Sequence, residues 1–189
     1  MKMYHQKVKE IKYDIISDYK PLPNYTEQQS IVIQKIGQFI YQTDNIYLAT
    51  NVRKLWENSN QTDLNKYIQA LQELHQKNLL DLKLLPNHEI YSSVIISPEL
   101  MIIFYKNYLQ GYDVVTKNLK IEIIEKENID SFKIAQNIGV KLVVVNNILD
   151  YLRIKDIVKL MRYSGTPLPG GKSFIILQVD KQKLQDFEF

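Results

Sequence analysis

The stretch Ile134-Ala-Gln-Asn-Ile-Gly-Val-Lys-Leu-Val-Val-Val-Asn-Asn-Ile-Leu-Asp-Tyr-Leu152 leaves few ways to fold. Small Ala135 is followed four positions later by Gly139, then by apolar Val145, Ile148, Leu149 and Leu152. A small residue lets a second helix approach closely, and glycine takes the positive φ of a tight turn without steric cost. The later apolar residues fall on one stripe of a helix. The spacing predicts two helices, over residues 129–137 and 142–153, joined by a sharp turn. The second half of this unit recurs at residues 63–80, where Leu64, Ile68, Leu71 and Leu74 keep helical spacing.

A pair of strand-like runs follows each unit. Residues 80–84 and 89–96 flank Pro86-Asn87-His88, and residues 156–163 and 172–179 flank a segment rich in Gly and Pro. Helices followed by a hairpin wing define a winged helix. The chain is therefore expected to be α+β, with two tandem winged-helix domains over 26–112 and 113–189. An N-terminal arm or leading helix, residues 1–25, precedes them and is interrupted by Pro21 and Pro23.

In the first domain Thr26 is expected to cap a helix over 27–42, with Val32, Ile36, Phe39 and Ile40 on one face. A short strand or turn at 45–49 and a short helix at 52–57, carrying Leu55 and Trp56, come next. Asp63 is read as the cap of the third helix and Asn78 as its left-handed end. Ser97-Pro98-Glu99 opens a further helix that runs to Leu109 and stops by Gly111. That helix is apolar on more than one side, as a buried bridge between domains would be. Residues 119–125 suit a strand or a helix. Residues 181–189 suit a last turn of helix.

Units of this size lie near the lower limit for a self-sufficient core, so the two are expected to pack on each other. The 189 residues include no cysteine, which removes disulfides and thiolate metal sites. The first ten residues lack the apolar stretch of a signal peptide, and no apolar run reaches the roughly 20 residues that span a bilayer. Net charge is +3, carried mostly by lysine; the arginines are Arg53, Arg153 and Arg162. Proteins that read duplex sequence lean on arginine for bidentate contact with guanine. A charge of this size serves solubility.

Catalytic patterns fail on inspection. Gly170-Gly-Lys-Ser173 resembles part of a phosphate-binding loop, but Thr166 stands where the first glycine belongs, and a strand rather than a helix follows. His5, His75 and His88 are far apart and match no zinc pattern; His75 reads as a partly buried structural residue. No serine sits in a nucleophile elbow. We therefore expect a protein that is not an enzyme and has no cofactor or resident metal.

Surface recognition remains. The outward face of the first recognition helix is expected to carry Asn65, Lys66, Gln69, Gln72, Glu73 and Gln76. The second is expected to present Lys141, Asn146, Asn147, Asp150 and Arg153. Lys83 on the first wing, with Lys159, Arg162 and Lys172 on the second, are best placed for phosphate. Both helix faces mix charge and amide, which grips a phosphate backbone poorly and suits a protein partner better. Tyr4, Tyr13, Tyr19 and Tyr25 suit packing on the first domain or stacking on single-stranded bases.

The segment Ala70-Leu-Gln-Glu-Leu-His-Gln-Lys-Asn-Leu-Leu80, the wing ending Ile90-Tyr-Ser-Ser-Val94 and the helix opening Ser97-Pro-Glu-Leu100 resemble the C-terminal half of the Stn subunit of the CST telomere complex. The Asn-, Gln-, Lys- and Ile-rich composition is similar to that of ciliate proteins, where such a subunit accompanies telomerase. The resemblance spans residues 26–179 and implies two consecutive winged helices that bind proteins of the telomere or replication machinery. DNA polymerase α–primase is the implied partner and the nucleus the implied location. The oligonucleotide-binding barrel of that family does not precede these domains here, so the resemblance implies a fragment. The alternative is a DNA-binding winged-helix regulator of transcription or replication initiation, cytoplasmic in a prokaryote. A third option, an ESCRT-type scaffold, lacks its aromatic-proline motif, for which Pro21-Leu-Pro23 is only a faint echo.

Overall fold

The computed structural model describes residues 11–43, 60–83, 93–162 and 173–189. Among them are seven helices and two separate two-stranded antiparallel sheets, a mixed α+β arrangement. The elements expected at 45–49 and 52–57 and both hairpin tips lie outside the described residues.

Helix α1 spans Glu27–Thr43. Its start is a reciprocal cap: the Gln29 amide N–H donates to Thr26 Oγ1, while Gln29 Oε1 accepts from the Thr26 N–H, both at 3.2 Å. Val32, Ile33, Ile36 and Ile40 are fully buried along one face. Helix α2, Gln61–Gln76, begins before the expected cap. Asn60, not Asp63, caps it by accepting from the Asp63 N–H. Asp63 instead sits inside the first turn, where a carboxylate meets the positive end of the helix. Asn78 takes the expected left-handed conformation, φ 58°, and α2 gives way to β1, Leu80–Lys83. β1 pairs with β2, Ser93–Ile96, with Leu80 opposite Ile96.

Ser97 caps α3, Pro98–Tyr108, by accepting from the Leu100 N–H. Leu100, Met101, Phe104, Tyr105 and Tyr108 are all buried, and α3 packs against α1 and against a later helix. The approach of α1 and α3 depends on Gly37. A Cβ there would stand 2.2 Å from Cγ of Phe104, a ring that stacks on Tyr108 at 5.2 Å. Gly111, at φ 63°, turns the chain into α4, Tyr112–Ile124. Residues 119–124 are thus helical: Leu119 and Ile123 are buried one turn apart, a spacing a strand would not place on one face.

Helix α5, Ser131–Ile138, ends at Gly139 with φ 85°, and α6, Leu142–Ile154, follows. Ala135 is buried beneath the turn as its size predicts. Strands β3, Val158–Arg162, and β4, Phe174–Val179, form the second antiparallel pair, and α7, Lys181–Asp186, closes the chain. One buried apolar cluster runs through both halves, from Leu22 and α1 to Leu184 of α7.

The described part of the N-terminal arm is extended rather than helical. Ile15 bridges to Leu109, Lys12 N–H donates to Gly139 O at 2.8 Å, and Ile16 N–H donates to Tyr108 O at 2.7 Å. The Tyr108 hydroxyl donates to Lys20 O at 2.6 Å, and the side chain of Gln34 donates to Ser17 O. The arm is therefore stitched by its main chain to α1, to the end of α3 and to the turn between α5 and α6.

Glu122 locks α4 to α5. It is 3% exposed and receives hydrogen bonds from Lys126 Nζ at 2.6 Å, Asn137 Nδ2 at 2.9 Å and Asn128 Nδ2 at 3.2 Å. Burial alone would raise its pKa, but the three donors outweigh that and hold it below the ordinary 4.5. A carboxyl with a folded pKa below its unfolded one contributes stability above the unfolded value, and loses it as pH falls through the folded value. We expect Glu122→Gln to flatten the loss of urea stability on acidification below about pH 4.5. An unchanged slope between pH 7 and pH 3 in the variant would remove Glu122 from the acid response.

Candidate docking surface

α2 is held by one face only. Ala70, Leu71 and Leu74 are buried against the rest of the fold, while Asn65, Lys66, Gln69, Gln72 and Gln76 are exposed. The exposed face is a mesh of local bonds. Gln61 donates to Asn65 Oδ1 at 3.2 Å, Gln69 donates to Glu73 Oε1 at 2.9 Å, and Lys66 Nζ lies 3.8 Å from Asp63. The Lys66 contact is long and solvated, so it contributes little to stability and leaves the ammonium available.

Across a cleft of about 280 Å³ stand Thr26 and Gln28 of the α1 start; Lys66, Gln69, Ala70 and Glu73 form its other wall. Glu73 ties the two walls, because Gln29 Nε2 donates to its other oxygen at 2.7 Å. Cations nearby rest on aromatic faces. Lys77 Nζ stands 4.8 Å from the Tyr25 ring centre and Lys35 Nζ 5.5 Å from that of Tyr67. Partial burial also lowers the pKa of Lys35. A lysine packed on a ring is less able to reach out to a phosphate than one extended into water. His75, expected to be partly buried, is exposed; its Nδ1 lies 2.9 Å from Leu80 O.

The second unit departs from expectation. α6 is enclosed by α5, α3 and α1 together. Asn146 and Asn147, expected to face outward, are 2% and 3% exposed, and Asn147 Nδ2 donates to the buried Tyr105 hydroxyl at 2.9 Å. Lys141 is drawn to α1: its Nζ donates to Tyr41 O at 2.9 Å and lies 4.4 Å from the ring centre of the same residue. Arg153 is exposed but spends its Nε on Asp150 at 2.7 Å. Burial of α6 follows from its composition, since Leu142, Val143, Val144 and Val145 surround the helix and leave no wide polar face.

The structure thus brings Lys66 and Gln69 to one cleft and withdraws Lys141 and Asn146 from the surface or to another helix. Lys83 on β1 and Lys159 and Arg162 on β3 are exposed on two different hairpins, with Arg162 over Phe174 at 6.0 Å. Lys172 lies outside the described residues. Of the N-terminal tyrosines, Tyr13 packs where a side chain on Gly111 would go and Tyr25 carries Lys77, while Tyr19 is 45% exposed. Tyr4 lies outside the described residues. Sequence reasoning passed over one surface entirely, the seat of Phe187 and Phe189 on Tyr151 and Lys120. Its one sequence signal is the alternation Phe187-Glu188-Phe189.

Fold and surface together describe a mixed α+β chain of helices and two antiparallel strand pairs, with α2 open on its outer side and residues 142–149 of α6 buried. Comparison with protein-family models, with curated proteins and with solved structures gives no match. Among the described residues no helix is long and apolar enough to cross a membrane.

Proposed function

We propose that this chain is a pair of winged helices that docks proteins rather than transforming substrates, as a module of telomere-maintenance or replication machinery in the nucleus. Polymerase α–primase is the partner named by the resemblance of residues 70–80, 90–94 and 97–100. In this reading α1, α2 and the β1–β2 hairpin are the first winged helix; α4 to α6 and the β3–β4 hairpin are the second. The observation that carries the reading is the contrast between the two recognition helices. α6 packs against α1, α3 and α5, and its residues 142–149 are all buried. α2 is open, but its outer face is rich in amides and balanced in charge. Such a face lacks the lysine and arginine density that counterion release requires, and it offers a protein partner several donors and acceptors.

The test is direct. Lys66→Ala/Gln69→Ala is expected to weaken binding to purified polymerase α–primase by about tenfold or more, as loss of a contact worth over 1 kcal/mol does. Both side chains are exposed, so the urea midpoint should move by no more than about 0.5 kcal/mol equivalent. Unchanged affinity in the double variant would remove α2 from the interface. A second reading, a DNA-binding regulator, is favoured by the exposed Lys83, Lys159 and Arg162 on the hairpins. Fluorescence anisotropy on duplex DNA across a salt series separates the two. Weak, sequence-indifferent binding fits the protein-docking reading, and a tight sequence-specific complex fits the regulator.

A further inference from the structure

Residues 185–189 lie in a groove formed by side chains of α3, α4 and α6. α7 is anchored by fully buried Leu184 and capped by Asp180, whose side chain accepts from the Lys183 N–H. At Phe187 the backbone leaves the helix for an extended conformation. From there the chain is held in two ways. Lys120 Nζ donates to Gln185 O at 3.0 Å and to Phe187 O at 2.5 Å, and Lys106 Nζ donates to the main-chain oxygen of Phe189 at 3.0 Å. The Phe187 ring meets Tyr151 of α6 edge-on at 5.9 Å and Phe189 at 5.1 Å, while Lys120 lies 5.7 Å from the Phe189 ring centre.

Each lysine bond ends on a main-chain oxygen, so the groove reads the course of a peptide and not its side chains. Side-chain selection falls to the aromatic seat, which suits two rings spaced two residues apart, the same-face spacing of an extended chain. Asp186 and Glu188 flank the rings in sequence, so a segment of negative charge suits a surface carrying two ammonium groups, through general attraction rather than an ion pair. Phe187 and Phe189 are only half-buried. Their release therefore gives up less apolar contact than release of a core ring would.

We propose that this groove is a docking site for an extended partner segment of aromatic–acidic–aromatic pattern, and that residues 187–189 hold it as a resident competitor. The surface is separate from the outer face of α2, and the proposal stands apart from the reading above. A partner segment enters by displacing Phe187 and Phe189 while α7 and Leu184 stay in place. The tail thereby sets a threshold that only a segment of matching chemistry crosses.

The probe is the synthetic peptide Gln-Asp-Phe-Glu-Phe, titrated into isotope-labelled protein and followed by amide chemical shifts at Lys106, Lys120 and Tyr151. In Phe187→Ala/Phe189→Ala, which keeps Leu184, the peptide is expected to bind saturably and at least about tenfold more tightly than in the unsubstituted chain, because the resident rings no longer fill the aromatic seat. A chain ending after Asp186, read in parallel, should behave the same way, so that poor folding of one form does not decide the result. Adding Lys120→Met or replacing both peptide rings with alanine should abolish the shifts. Equal affinity in the tailed and tail-free forms, or no saturable shift in either folded tail-free form, overturns the proposal.

Discussion

Phe104→Ala is expected to lower the unfolding free energy by about 3–5 kcal/mol, read from urea unfolding at neutral pH. The ring is fully buried, stacks on Tyr108 and lies 5.5 Å from Tyr105. It occupies the contact between α1 and α3, so its loss opens a cavity between those two helices. Gly37 makes that contact close, and this limits how far the backbone can collapse into the void. A cost below about 1 kcal/mol would mean that the helices re-seat freely, contrary to a tightly filled junction.

The second large effect has an unusual sign. Glycine to alanine in a helix interior ordinarily stabilises by about 1 kcal/mol. Gly37→Ala is expected instead to destabilise by about 1–3 kcal/mol, because the added methyl must displace the Phe104 ring from 2.2 Å. The clash belongs to a pair, so it should be relieved by changing the other member. In a Phe104→Leu background the penalty of Gly37→Ala should shrink by about 0.5 kcal/mol or more, the coupling expected of residues in contact. Additive effects, or a stabilising Gly37→Ala, would show that the helix approach tolerates a side chain.

Local signals were legible in the sequence where one segment decides its own structure. Thr26 and Ser97 cap helices, Asn78 and Gly139 take positive φ, and Ala135 lies under the helical turn. Each depends on a few neighbouring atoms. What failed depends on distant ones. Asn146 and Asn147 look outward in a helical wheel because they are polar, but α1 and α3 cover that side and Tyr105 supplies a partner. Four consecutive apolar residues, 142–145, were the signal that α6 is covered on all sides over residues 142–149. Asp63 reads as a cap because it adjoins the apolar run; the helix starts one turn earlier because Asn60 accepts from the Asp63 N–H and also donates to its carboxylate. Gly37 reads as a mild helix flaw until Phe104, far along the chain, is placed against it. On the candidate site, composition identified the open α2 face, and only the fold could remove Lys141 and Asn146 from it.

The stitching of the arm to Gly139 has a consequence for how the protein is made. Translation is vectorial, so Lys12 leaves the ribosome long before its acceptor carbonyl has been synthesised. At about 5–20 residues per second the wait is on the order of ten seconds. During that interval the amides of Lys12 and Tyr13 have no acceptor, while Ile15 and Ile16 wait only for Leu109 and Tyr108. The α1–α2 half can form meanwhile, but the Lys12–Tyr13 end of the arm closes only after the α5–α6 turn has emerged, which makes its docking a late checkpoint of biogenesis rather than an early nucleus.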